Sequence, residues 1–98
     1  MKKNYLIMLL IFITNGLIAQ NVNIPDANFK SYLIGNSAIN TNADTEIQVS
    51  EATAFTGTIN CSGQNIADLT GIEAFAALTS LDCSYNQLTS LDVTQNTA

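Results

Sequence analysis

Residues 78–91 run Leu78-Thr79-Ser80-Leu81-Asp82-Cys83-Ser84-Tyr85-Asn86-Gln87-Leu88-Thr89-Ser90-Leu91. Leu78, Leu81, Cys83, Leu88 and Leu91 are the apolar positions, and Asn86 stands alone between the second and third groups. Leu81 and Cys83 alternate with polar neighbours, so a short strand there turns both to one side. The chain must then bend. Asn86 suits a bend because its amide can bond backbone groups that the turn leaves unpaired. Leu88 and Leu91 are expected to bury the return path.

Upstream, Ile59-Asn60-Cys61-Ser62 matches Leu81-Asp82-Cys83-Ser84 at an offset of 22 residues, and the same offset pairs Ile66 with Leu88 and Leu69 with Leu91. A repeat of about 20–29 residues with the spacing L-x-x-L-x-L-x-x-N-x-L is the signature of leucine-rich repeats. A shorter echo, Leu91-Asp92-Val93-Thr94-Gln95-Asn96, follows ten residues after Leu81 and predicts two extended segments per coil. Asp68–Leu78 reads as a more helical return. The expected fold class is therefore an α/β repeat, a leucine-rich repeat solenoid of about two coils over residues 58–98. Such solenoids need roughly three units or more, so the repeats are expected to continue beyond the given chain.

Residues 20–57 have a different texture and read as helix, loop, helix. Pro25 and Asp26 suit a helix N-terminus, Phe29, Tyr32 and Leu33 share one face, and Gly35 is a natural stop. Glu46–Val49 can extend briefly. Ser50 is a candidate cap for a second short helix ending near Gly57. The segment is expected to cap the first coil.

The first 19 residues have a third character. Lys2 and Lys3 precede an apolar run from Tyr5 to Ile13, and Leu17-Ile18-Ala19 follows Thr14-Asn15-Gly16. A basic head, a short apolar middle and a small residue form a secretory signal peptide, with cleavage expected after Ala19. The run falls short of the roughly 20 apolar residues of a spanning helix, so no stable membrane insertion is expected. Of the 98 residues, 79 remain after removal of those 19. Lys30 there stands alone against eight acids, a net of −7. Such a surface repels phosphate backbones, which argues against nucleic acid as a partner. The chain has no His, so the usual general base for a Ser or Cys nucleophile is missing. No catalysis is expected from this segment.

Asn23-Ile24-Pro25-Asp26-Ala27-Asn28-Phe29, followed by Ile66-Ala67-Asp68-Leu69-Thr70-Gly71-Ile72-Glu73, resembles bacterial internalin-type leucine-rich repeat proteins. Leu78–Val93 is similar to the irregular short-repeat class of secreted bacterial proteins. The resemblance spans nearly all of residues 20–98. It implies an N-terminal cap, a secreted or cell-surface location, and binding or adhesion to an extracellular protein or surface ligand.

Two sets of residues are candidate sites. Asn40, Asn42, Asp44, Glu46, Gln48 and Glu51 have the spacing of an EF-hand calcium loop. Position one is Asn instead of Asp, and position six is Thr45 where such loops place Gly, so calcium is the one candidate cofactor and is expected to bind poorly. The outward strand positions Asn60, Ser62, Asp82, Ser84, Asp92 and Thr94, with Tyr85 beside them, form a candidate partner-binding row, since repeat folds bind through exposed rows. Cys61 and Cys83 occupy equivalent places and are expected as small buried residues stacked in the core. The leading expectation is thus a secreted binding protein. A calcium-binding cap and a targeting segment of a longer exported enzyme are the alternatives.

Overall fold

The computed structural model describes residues 20–98, and the expected signal peptide lies outside the described residues. Helix α1 spans Ala27–Ile34. Asp26 caps it, its Oδ1 accepting from the backbone N–H of Asn28 and Phe29 at 2.9 Å each, which satisfies donors that the first helical turn leaves free. Phe29 and Leu33, one turn apart, are fully buried, and the Gly35 N–H closes the helix on Ser31 O at 3.1 Å. Lys30, on the same helix, pairs with both Glu46 oxygens at 2.9 Å.

Helix α2 spans Val49–Ala54. It starts before the expected Ser50 cap. Gln48 takes the N-cap position, and its N–H donates to Glu51 Oε1 at 3.0 Å, the backward half of a capping box. The entering chain runs beside this point, with Val22 N donating to Ile47 O at 2.8 Å and Val49 N to Gln20 O at 3.1 Å.

Strands β1, Thr58–Asn60, and β2, Ser80–Asp82, form a two-stranded parallel sheet in the register Thr58↔Ser80, Ile59↔Leu81, Asn60↔Asp82. The ladder runs on past the strands through Cys61 N to Asp82 O, 2.8 Å, and Gly63 N to Ser84 O, 3.0 Å. Between the strands lies a single 3-10 turn, Ile72–Ala74, entered through Gly71 at φ +111°. A Cβ at Gly71 would sit 2.8 Å from Ile24 Cγ1 and 3.0 Å from Asn23 O, so both the backbone angle and the space require glycine.

The fold class, a leucine-rich repeat solenoid of about two coils, is therefore corrected, although the helix, loop, helix expected over residues 20–57 is present as α1 and α2. A solenoid stacks equivalent units, each burying the next. Here the described residues make two short helices, one 3-10 turn and a sheet of two three-residue strands. Their apolar side chains join in one cluster that includes Phe29, Leu33, Ile39, Ile47, Ile59, Cys61, Ile66 and Phe75. The 22-residue offset survives in the β1–β2 register and in the turns that follow the two strands, but not in the packing of the side chains. Residues matched by that offset do not share an environment: Ile59, Cys61 and Ile66 are fully buried, whereas Leu81, Cys83 and Leu88 are half-buried. Leu91 and Val93 are 47% and 43% exposed, and the echo at 91–96 forms no strand. The helical return expected over Asp68–Leu78 amounts to the 3-10 turn.

Candidate functional site

The outward positions of the row are not free-swinging side chains. Asn60 Oδ1 accepts from Ser62 N at 3.3 Å and Ser62 Oγ at 2.8 Å. Asp82 Oδ1 holds Ser84 in the same way, at 3.1 and 2.7 Å, and Asp92 Oδ1 holds Thr94 at 3.0 and 2.7 Å. Each is an Asx residue bonded two places on, a motif that turns the chain locally. Asp68 and Thr70 repeat it, at 2.8 and 2.6 Å, a fourth case visible in the sequence as Asp-x-Thr but not singled out there. These bonds favour the charged carboxylates. The Ser84 hydroxyl and then its N–H lower the Asp82 pKa, the Thr70 hydroxyl and then its N–H lower that of Asp68, and the Thr94 N–H and then its hydroxyl lower that of Asp92.

Tyr85 lies between the second and third of the row's pairs. It is 90% exposed and sits at φ +56°, a backbone conformation uncommon for a bulky residue. Asn86 fixes it there. The Asn86 Oδ1 accepts from Gln64 N and Ile66 N, each at 3.0 Å. Its Nδ2 donates to Cys61 O at 2.9 Å, Cys83 O at 3.0 Å and Ser84 O at 3.3 Å. One amide thus bonds the backbone of two turns 22 residues apart and holds the peptide bonds around Tyr85.

The structure also gathers most of the candidate calcium residues, but as a self-bonded loop. Asp44 Oδ2 accepts from Asn42 Nδ2 at 3.1 Å and Gln48 Nε2 at 2.8 Å. Glu51 is buried, and its Oε2 accepts from Thr41 N, Thr41 Oγ1 and Asn42 N at 2.8, 3.2 and 3.3 Å. Glu46, which such a loop would use through its backbone carbonyl, pairs its side chain with Lys30. Asn40 is buried and aims the donor Nδ2 at Ile34 O and Asp44 O, 2.9 and 2.8 Å away, where a cation loop needs acceptors. Its Oδ1 is buried with no partner among the described residues. The tight bend falls at Ala43, φ +59°, instead of at position six. Among the described residues no group of three or more His, Cys, Asp or Glu is placed to hold a metal ion.

Cys61 and Cys83 are both free thiols, Cys61 fully buried and Cys83 half-buried. Burial, and then the neighbouring Cys83, pushes the Cys61 thiol up to about 11, which keeps it protonated and unreactive at neutral pH.

No protein-family profile matches the chain. Over 73 residues it is 40% identical to Internalin J of Listeria monocytogenes, a match covering 74% of this chain and 8% of that protein. Among solved structures it is similar to the functional domain of InlJ from the same organism, described as including a cysteine ladder, with TM-score 0.62 and 34% identity over 80% of this chain and 17% of that one. It also resembles a structure of the CBM51-2 and INT domains of Clostridium perfringens ZmpB, with TM-score 0.58 and 26% identity over 83% and 16%. The chain is thus similar to a part of Internalin J and spans only a small part of each relative. No helix among the described residues is long and apolar enough to cross a membrane.

Proposed function

We propose, from the likeness to internalin-type surface proteins, that this chain is a non-catalytic binding module, secreted or held at the outer face of a bacterial cell. In this reading Asn60, Ser62, Asp82, Ser84, Tyr85, Asp92 and Thr94 contact an extracellular protein. Residues 20–57 support the surface by closing the core beneath it.

Tyr85 is the observation that carries this reading. The Asn86 bonds account for the left-handed backbone at 85, which Gly63 shares at φ +64° one offset earlier, but they give no packing reason for a large aromatic ring left 90% exposed there. Tyrosine is among the residues that most often anchor interfaces. The locked Asx-Ser/Thr pairs around it lose little freedom on contact, which lowers the entropic cost of binding.

The test is biolayer interferometry of the chain against a panel of purified extracellular proteins, with Tyr85→Asn alongside. Asn tolerates the left-handed backbone, so the variant should melt at or above the parent's temperature while capture falls at least tenfold. Equal capture by parent and variant would remove Tyr85 and its row from the interface. Failure of every panel member to bind the parent would count against the binding reading itself.

A further inference from the structure

A second surface, sharing no lining residue with the Tyr85 row, has a chemistry of its own. Asn28, Ser31, Tyr32 and Gly35 lie at i, i+3, i+4 and i+7 along one stripe of α1. With Asn36, Ser37 and Gln64 they line an open, shallow cleft of about 550 Å³. Two bonds pin its walls together. Asn28 Nδ2 donates to Asn65 O at 2.9 Å, and Asn60 N donates to the Tyr32 hydroxyl at 3.2 Å.

The lining contains no charged side chain, although residues 20–98 carry eight acids and one lysine. An ionic ligand would find no counter-charge there, and a wholly apolar one would strip water from amides and hydroxyls without replacing their bonds. What the cleft offers is a mixed set of neutral donors and acceptors, partly pre-oriented. Asn28 is held through its Nδ2, which leaves Oδ1. Gln64 is held through Nε2 on Ser62 O at 3.3 Å, which leaves Oε1. Asn36 is held through Oδ1, which accepts from Ala38 N at 3.0 Å, and that leaves Nδ2. Ser31, Ser37 and the Tyr32 hydroxyl can each donate, and Tyr32 adds a half-buried ring. Hydroxyl groups, which donate and accept at once, match such a set, and the C–H face of a sugar ring suits an aromatic wall.

We infer that this cleft binds a neutral sugar residue, free or at the end of a glycan. The contact is shallow and polar, so the affinity is weak, with Kd on the order of 1 mM. It is indifferent to ionic strength because no charge pair forms.

The experiment is a titration of the isotope-labelled chain with glucose, galactose and N-acetylglucosamine, and with their methyl glycosides, followed through the side-chain amide NMR signals of Asn28, Asn36 and Gln64. The expected result is a saturable shift of those amides with at least one sugar, unchanged between 0.05 and 0.5 M salt on the scale of about twofold. Gln64→Ala should weaken it fivefold or more without altering the melting temperature, and Ser31→Phe, which fills the cleft, should abolish it. Equal binding of a methyl glycoside assigns the cleft to glycan ends, and its loss assigns it to free sugars. Shifts that fail to saturate with every sugar, or that persist in Ser31→Phe, overturn the proposal.

Discussion

Replacing Asn86 by alanine removes five hydrogen bonds in one step. The amide spans two turns, accepting from Gln64 N and Ile66 N and donating to Cys61 O, Cys83 O and Ser84 O. Water can reach the partners at 64 and 84, so their loss is mostly repaired. The bonds to Ile66 N, Cys61 O and Cys83 O are part-buried, and alanine offers nothing in return. At about 1 kcal/mol for each of three such bonds, with the higher cost of a stranded buried group as the upper limit, the loss is roughly 3–5 kcal/mol. A domain of this size has a total stability of roughly 4–12 kcal/mol, so Asn86→Ala should be marginally folded or unfolded at 25 °C. Urea melts followed by circular dichroism measure this directly. Asn86→Asp keeps the acceptor but sets carboxylate oxygens against three carbonyls, so it should fare no better. A loss below about 1 kcal/mol in Asn86→Ala would mean that solvent replaces the amide and that the two turns hold without it.

Three further outcomes follow from the geometry. Gly71→Ala forces a Cβ to within 2.8 Å of Ile24 Cγ1 at φ +111° and should cost more than about 1 kcal/mol in a denaturant melt; a neutral result would show that the 22–24 segment moves aside freely. Glu51→Gln should destabilise by roughly 1–3 kcal/mol, because Glu51 accepts four bonds that hold its loop; millimolar calcium should leave the parent's melting curve in place, and a calcium-dependent rise abolished in the variant would restore the loop as a cation site. Burial pushes the Asp26 carboxyl upward, but N–H donors from Phe29, Ala67, Asn28 and Asp68 together lower its pKa below the ordinary 3.8. A depressed native pKa stabilises the fold above the unfolded value, and that contribution is lost as pH falls from about 3.8 through the lower native value; thermal melts should show the gap between parent and Asp26→Asn narrowing over that window, and a gap unchanged down to pH 2 would contradict it.

Much of the local structure is legible in the chain. Asp26, the Phe29–Leu33 spacing and Gly35 mark α1, which begins at Ala27, two residues after the Pro25 expected at its first position, and the match of Ile59 with Leu81 is the register of the sheet. The bonding role of Asn86 also follows from its place before a turn. The solenoid is where periodicity misleads. Spacing tells which side chains face inward, but not whether anything covers them, and Leu91 and Val93 are left half open despite fitting the pattern. Long-range ties are invisible for the same reason: Asp26 Oδ2 accepts from Ala67 N at 2.9 Å and Asp68 N at 3.2 Å, some forty residues away. At the site, the exposed row could be named, but not its locking, and nothing about tyrosine predicts a left-handed backbone at 85. The polar cleft is not legible in the sequence, because Gln64 completes it from across the fold.

Lys30 gives the molecule an unusual property as a substrate for proteolysis. No other Lys or Arg occurs in residues 20–98, so trypsin has one bond to cut there, Lys30–Ser31, in the middle of α1. A helical backbone whose Lys30 side chain is paired to Glu46 does not fit a protease cleft until the turn around it opens, so the rate of a single nick reports the opening of that one helix. A ligand or substitution that acts on the first helix will change that rate, and one that acts on the distant edge near Leu91 will leave it alone unless the whole chain unfolds.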